Sequence, residues 1–184
     1  MASGARKDEQ TVKDTRAKDV QEFFERVVTD WDTMRLAYYD ERVIERMASV
    51  SGVDAGTTVA DVGTGMGFVA AGVAPRVKRI IRIENASAML EVARDNLRAL
   101  GVFNVDLLVG DIAELPLDGY SVDAAFANMG MQHAEDPSTI LREMARLTRP
   151  GGTVAVVHET EHSRPRRFCR RSSGWRGWCS SLVS

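Results

Sequence analysis

Through residue 168 the 184-residue chain contains no cysteine; its two, Cys169 and Cys179, fall near the C-terminus. The body therefore offers no disulfide, no thiolate metal site and no thiol nucleophile. Long hydrophobic runs are missing too: none approaches the ~20 residues that cross a bilayer. The opening "MASGARKDEQTVKD" lacks the apolar core of a signal peptide, so the expected location is cytoplasmic. Acids are absent after Glu161. All 26 lie at or before it with 18 of the 24 basic residues, which leaves residues 1–163 at about −8, while residues 164–184 hold six arginines. Such an acidic body argues against a nucleic-acid groove, which needs a concentrated basic face. What remains is ordinary: 44% hydrophobic and 27% charged residues, enough for one domain with a real core.

Along the chain, residues 1–18 form a charged arm. From Val20 the apolar positions Phe23, Phe24, Val27, Val28 and Trp31 recur at helical spacing, and a second helical stretch covers about Asp40 to Ala48. From Thr58 the pattern changes to strands alternating with helices. "TTVADVG", "RIIRIE", "NVDLLVG", "VDAAFAN" and "TVAVVHE" are strands; "FVAAGVAPR", "SAMLEVARDNLRAL" and a segment capped by Asp136 with Pro137 at its first position are helices. This order predicts an α/β fold with a doubly wound, mostly parallel sheet of five strands behind an N-terminal helical cap at 19–57. Ligands in such sheets bind beyond the carboxyl ends of the strands, where strand order reverses. After about His162 the periodicity ends, and residues 163–184 read as a basic, irregular tail that leaves the fifth strand an unpaired edge.

The first strand runs into "DVGTGMG", with Gly63, Gly65 and Gly67 at every second position. Glycine serves where a chain turns tightly or a ligand approaches the main chain. A P-loop needs Lys and Ser/Thr after its last glycine; Phe68 and Val69 stand there instead, which excludes it. A dinucleotide fingerprint needs G-x-G-x-x-G, and its third glycine position is Phe68, which argues against NAD without excluding it.

The pattern acid-x-G-x-G-x-G from Asp61 resembles the first motif of the class I S-adenosylmethionine-dependent methyltransferases. The likeness continues in order. Glu84 ends the second strand 17 residues after Gly67; Gly110, Asp111 and Ile112 end the third; "NMGMQHAEDP" and "LTRPGGTVAVV" follow. These segments are similar to the small-molecule branch that contains the ubiquinone/menaquinone-pathway enzymes. The resemblance covers about residues 20–160 and makes 58–162 an S-adenosylmethionine-binding, Rossmann-like domain. It implies S-adenosyl-L-methionine as cofactor, S-adenosyl-L-homocysteine as product and no metal. It implies that Glu84 grips both ribose hydroxyls and that Asp61 helps hold the methionine ammonium through the loop. Gly63, Thr64, Gly65, Gly67 and Asn85 would line the donor, with Asp111 and Ile112 flanking the adenine, Asn128 and Met129 at the fourth strand's tip, and Tyr39 from the cap.

Each of these residues also has a plainer reading: Asp61 as a turn cap, Glu84 as a solvated acid, Asp111 as a helix cap, Asn128 and Met129 as a strand end. Trp31, Tyr38 and Tyr39 could be core aromatics. Methyl transfer of this kind is an in-line displacement that rests on positioning rather than on a covalent enzyme intermediate. His133 is the candidate general base, with a structural or solvent-facing role as its alternative. The fourth strand's end lacks the prolines of base-amine methyltransferases, and the cysteine-free body lacks the nucleophile of pyrimidine-C5 enzymes and the ligands of arsenite enzymes. A small organic acceptor is expected, with no nucleic acid and no membrane span. The family domain normally continues with a helix and two further strands, so an altered, out-of-frame C-terminus is expected, against the alternative of a genuine basic arm. An impaired donor-binding remnant and an NAD(P) oxidoreductase are the rival functions.

Overall fold

A computed structural model describes residues 41–63, 65–131, 134, 136–158 and 166–171. Helix α1 (Arg42–Ser51) precedes strand β1 (Thr58–Val62), helix α2 (Phe68–Val73) with its 3-10 extension Ala74–Arg76, and β2 (Arg79–Glu84). Helix α3 (Ser87–Ala99), β3 (Val105–Val109), β4 (Val122–Asn128), α4 (Pro137–Leu147), β5 (Thr148–His158) and β6 (Arg166–Arg171) complete the order. The sheet runs β3-β2-β1-β4-β5-β6. The first five strands are mutually parallel. Strand order reverses between β1 and β4, so the carboxyl ends of these two strands flank the switch point expected of the fold.

Alternation along each strand divides the core into two layers. Val59, Ile80, Ala124, Phe126, Ala155 and Val157 join α1 and α2 on one face. Ala60, Ile81, Ile83, Ala125, Val154 and Val156 join Ile140, Met144 and Leu147 of α4 on the other. Each of the larger side chains contributes roughly 1.5–3 kcal/mol by leaving water. The same parity carries Asp61, Arg82, Glu84 and Asn128 to the α1/α2 side, because they follow Val59, Ile80 and Phe126 at steps of two.

Two features depart from the sequence reading. First, Arg166–Arg171 pairs antiparallel with β5, from Thr153 opposite Arg171 to His158 opposite Arg166. The sheet thus has six strands where five were expected; β5 is not an edge, and the tail is not irregular at these residues. Strand pairing is made by main-chain N–H and C=O groups, so a segment reading "RRFCRR" can pair without the alternation that sequence analysis looks for. Second, the helix expected to end near Ala48 continues to Ser51, and Gly52 stops it in a left-handed conformation at φ 60°. The helix from Val20, with Trp31, Tyr38 and Tyr39, lies outside the described residues. Among those described, no helix is long and apolar enough to cross a membrane.

Helix α4 begins as its sequence predicts. Oδ1 of Asp136 accepts from the Ser138 N–H at 2.9 Å, and Oδ2 accepts from the Thr139 hydroxyl at 2.9 Å. Hydrogen bonds from Ser138 and Thr139 hold the carboxyl down at about 2. Farther along, Glu143 accepts from the Leu115 N–H and Arg146 donates to the Leu117 carbonyl, tying the segment after β3 to this helix. A carboxyl depressed in the fold stabilises above its unfolded value near 4, and that contribution is lost as pH falls toward 2. Asp136→Ala is therefore expected to lower the melting temperature at pH 7, with the gap to wild type closing toward pH 2 in thermal melts followed by circular dichroism.

Candidate donor-binding site

The glycine spacing has a conformational cause. Gly63, Gly65 and Gly67 all take positive φ, at 64°, 68° and 91°, which L side chains rarely tolerate. The turn is anchored to β2, since the Gly63 N–H donates to the Ile83 carbonyl at 2.9 Å. A second glycine turn closes against the first. A Cβ on Gly130, just after β4, would stand 2.5 Å from the Gly63 carbonyl oxygen. Only hydrogen at Gly130 lets the two strand-end loops meet. Met129 beside it is left-handed at φ 57°, and its N–H donates to the Val157 carbonyl.

Glu84 stands at the tip of β2 with both carboxylate oxygens turned to neighbouring main chain. Oε2 accepts from the Gly65 N–H at 3.3 Å; Oε1 accepts from Asn85 at 3.0 Å and from Ala86 at 3.3 Å. It is 6% exposed. Burial pushes its pKa above the usual carboxylate range, opposed by Arg82 and by those three N–H groups. Asp61, 1% exposed, lies across the strand pair from Arg82, 0% exposed. The Arg82 Nε to Asp61 Oδ2 distance is 3.6 Å, an ion pair too long for a hydrogen bond. Burial pulls the guanidinium's pKa down, and Asp61 and Glu84 push it back up. None of its three nitrogens has a hydrogen-bond partner among the described residues. Burying an ion in this way costs several kcal/mol unless opposite charges compensate.

Asn128, 2% exposed at the end of β4, likewise leaves both amide atoms without a hydrogen-bond partner among the described residues. The other expected site residues divide. Ile112 lies within 3.5 Å of where a Cβ on Gly63 would be, so the third strand's loop reaches the glycine turn. Asp111 is exposed and caps a local turn, accepting from the Ala113 N–H at 2.8 Å, rather than the helix of its plainer reading, since no helix lies between β3 and β4 among the described residues. The Met129 side chain belongs to the core, which leaves main chain to face a ligand there. Thr64, Tyr39 and His133 lie outside the described residues. Sequence reasoning overlooked Arg82 and Gly130. The first was signalled by a cation between isoleucines in the interior of a strand, the second by a glycine two residues past a strand end.

This arrangement can accept hydrogen bonds from a diol and a cation, through two buried carboxylates, and can lay bare peptide against a ligand. Among the described residues no cluster of three His, Cys, Asp or Glu could hold a metal ion. The family model described as "Methyltransferase domain" matches residues 60–156. The chain is 38% identical over 124 residues to the methyltransferase GfsG of Streptomyces halstedii, covering 66% of this chain and 45% of that protein. It is 31% identical over 153 residues to the ubiquinone/menaquinone biosynthesis C-methyltransferase UbiE of Idiomarina loihiensis, covering 79% and 60%. Among solved structures, a SAM-dependent methyltransferase from Aquifex aeolicus superposes with a TM-score of 0.63 at 25% identity, covering 74% of this chain and 76% of its own. The chain thus spans about half the length of the curated relatives it matches.

The contact between the two loops carries a prediction. Gly130→Ala should cost about 1–3 kcal/mol of stability in urea unfolding, because the clash is with main chain. Gly119→Ala, whose new Cβ would meet its nearest atom at an ordinary 3.5 Å, should stay within about 0.5 kcal/mol of wild type.

Proposed function

The chain belongs to the methyltransferase-domain family, and we propose that it transfers a methyl group from S-adenosyl-L-methionine to a small organic acceptor. The observation that carries this reading is the buried carboxylate of Glu84 beside a glycine turn with three positive-φ residues. The residues suit the donor. Glu84 would accept both ribose hydroxyls, and its negative charge strengthens each bond. Asp61 would favour the ammonium group through the loop. The main chain at Gly63–Gly67 would lie against the amino-acid part, with Thr64 among its residues. Asn85, Asp111 and Ile112 would border the adenine. Asn128, whose amide has no partner among the described residues, would bond the donor from the β4 side, with the Met129 main chain next to it. Tyr39 is proposed as the cap's contact.

When bound, the donor supplies an electrophilic methyl group on a sulfonium sulfur. The work left to the protein is to fix the two reactants in line, where positioning contributes on the order of 7–11 kcal/mol, and to exclude water. Where the acceptor carries a proton, His133 is proposed to take it, since imidazole titrates near neutrality. Its replacement by Ala should then lower kcat roughly 10²–10⁴-fold at unchanged donor affinity, measured with labelled methyl transfer to a panel of quinols, phenols and amines. Wild-type turnover in this variant would remove the base.

Calorimetry with S-adenosyl-L-homocysteine tests the donor site directly. Binding is expected, with NAD giving none at the same concentrations. Glu84→Ala should weaken it about 100-fold, the scale of two hydrogen bonds to a charged group. Affinity untouched by this substitution would remove the ribose assignment.

A further inference from the structure

Among the described residues, three charged side chains are buried: Asp61, Arg82 and Glu84. They sit together. Asp61 and Arg82 are register partners on β1 and β2, and Glu84 is two residues on from Arg82, hence on the same face of the sheet. Resting on the donor-site reading above, we propose that Arg82 is a positioning residue of that site, a fixed cation that lets two carboxylates lie buried and charged beneath one glycine turn.

The geometry favours a counter-charge over a structural clamp. A guanidinium that serves as a clamp spends its N–H groups on bidentate bonds to carboxylate or carbonyl. Here none of the three nitrogens makes a hydrogen bond to a described residue, and the approach to Asp61 is 3.6 Å. The other interior positions of β2, 80, 81 and 83, are isoleucine, while Arg79 and Glu84 stand at its two ends. An apolar side chain of similar size would pack at position 82 with less desolvation, and replacing buried ions in this way is often stabilising. A cation retained there has a use in charge balance: one positive group between two negative ones leaves the cluster at −1, suited to a ligand bearing a positive charge and a diol.

No other charge shares this layer among the described residues. The elements packed on it present apolar groups: Val43, Ile44 and Met47 from α1, Val69 and Val73 from α2, Met89, Leu90 and Ala93 from α3. Charged residues of these elements, Arg42, Glu45, Arg46, Arg76, Glu91, Arg94, Asp95 and Arg98, are exposed or part-exposed. On the neighbouring strands Asp106 is exposed, and Asp123 accepts from the Thr58 N–H at the opposite end of β1. Arg82 is therefore the cation that sets whether Glu84 holds its charge when burial alone would favour the neutral acid.

The consequence is a pH signature. A diol binds the ionised carboxylate, so affinity falls as pH drops through the Glu84 pKa. Without Arg82 that fall begins at higher pH. Binding of S-adenosyl-L-homocysteine is measured from pH 5.5 to 9 for wild type, Arg82→Lys and Arg82→Met. In Arg82→Met the midpoint of the loss should move up by about one pH unit or more, with most of the affinity recovered at pH 9; Arg82→Lys should keep the wild-type midpoint. A uniform loss in Arg82→Met at an unmoved midpoint would overturn the proposal. A second measurement needs no ligand: the Glu84 carboxyl carbon, assigned by its absence in Glu84→Gln, is followed by NMR in wild type and Arg82→Lys. An ionised Glu84 at pH 7.5 in both supports the proposal even if Arg82→Met fails to fold, and a neutral one in wild type overturns it. Wild-type protein that binds no S-adenosyl-L-homocysteine, with Glu84 ionised, would sink the donor reading while leaving the electrostatic pairing standing.

Discussion

The site depends on one close approach of main chain to main chain. Gly130 lies so near the Gly63 carbonyl that a methyl group would stand 2.5 Å from it. Because β1 and β4 are adjacent parallel strands across the switch point, the loops leaving them would otherwise diverge and the crevice would lack a defined end. Their contact fixes the first glycine of the turn. The bond from the Gly63 N–H to Ile83 fixes it from the other side. Between these two restraints the positive-φ glycines have one path to follow, and that path brings side-chain-free peptide to the switch point, where a ligand would lie.

On this frame the strand alternation distributes chemistry. Positions 61, 82, 84 and 128 share a face because each is an even step from a core residue of that face. The same step that buries Val59 and Ile80 buries Asp61, Arg82 and Glu84 at the strand tips. Placing three charges in a dry layer is unfavourable unless they compensate one another, and here they alternate in sign along two neighbouring strands. The glycine turn adds a further donor through the Gly65 N–H. Backbone rigidity and charge balance are thus one construction: the loop is shaped by its contact with Gly130 and held by the acid that the cation supports.

Most of the strand and helix order could be read from the sequence, because buried parallel strands and amphipathic helices announce themselves by length and period. Asp136 and Pro137 marked the start of α4 through local capping chemistry, and "RIIRIE" marked β2 through its run of isoleucines. Glycines at 63, 65 and 67 were legible as a turn, although sequence spacing could not say that every one of them would be left-handed. What escaped was information held between segments. Gly130 matters only because a loop 67 positions earlier in the chain passes over it. Arg82 looked like a stray charge in a strand until Asp61 came alongside. Strand β6 was invisible because main-chain pairing leaves no trace in side-chain pattern. At Asp111 the sequence suggested a helix cap, and the structure has a cap on a short turn instead, because the residues that follow it form no helix.

The second layer of the core has a different status. Ala60, Ala125, Val154 and Val156 meet α4 there, and none of the buried charged groups of the described chain lies among them. Substitutions that change how tightly this helix seats alter the thermal margin of the domain while leaving the electrostatics of the crevice intact. One side of the sheet is thereby free to drift or to be engineered, a reservoir of stability that can absorb the cost of new specificities evolving on the other.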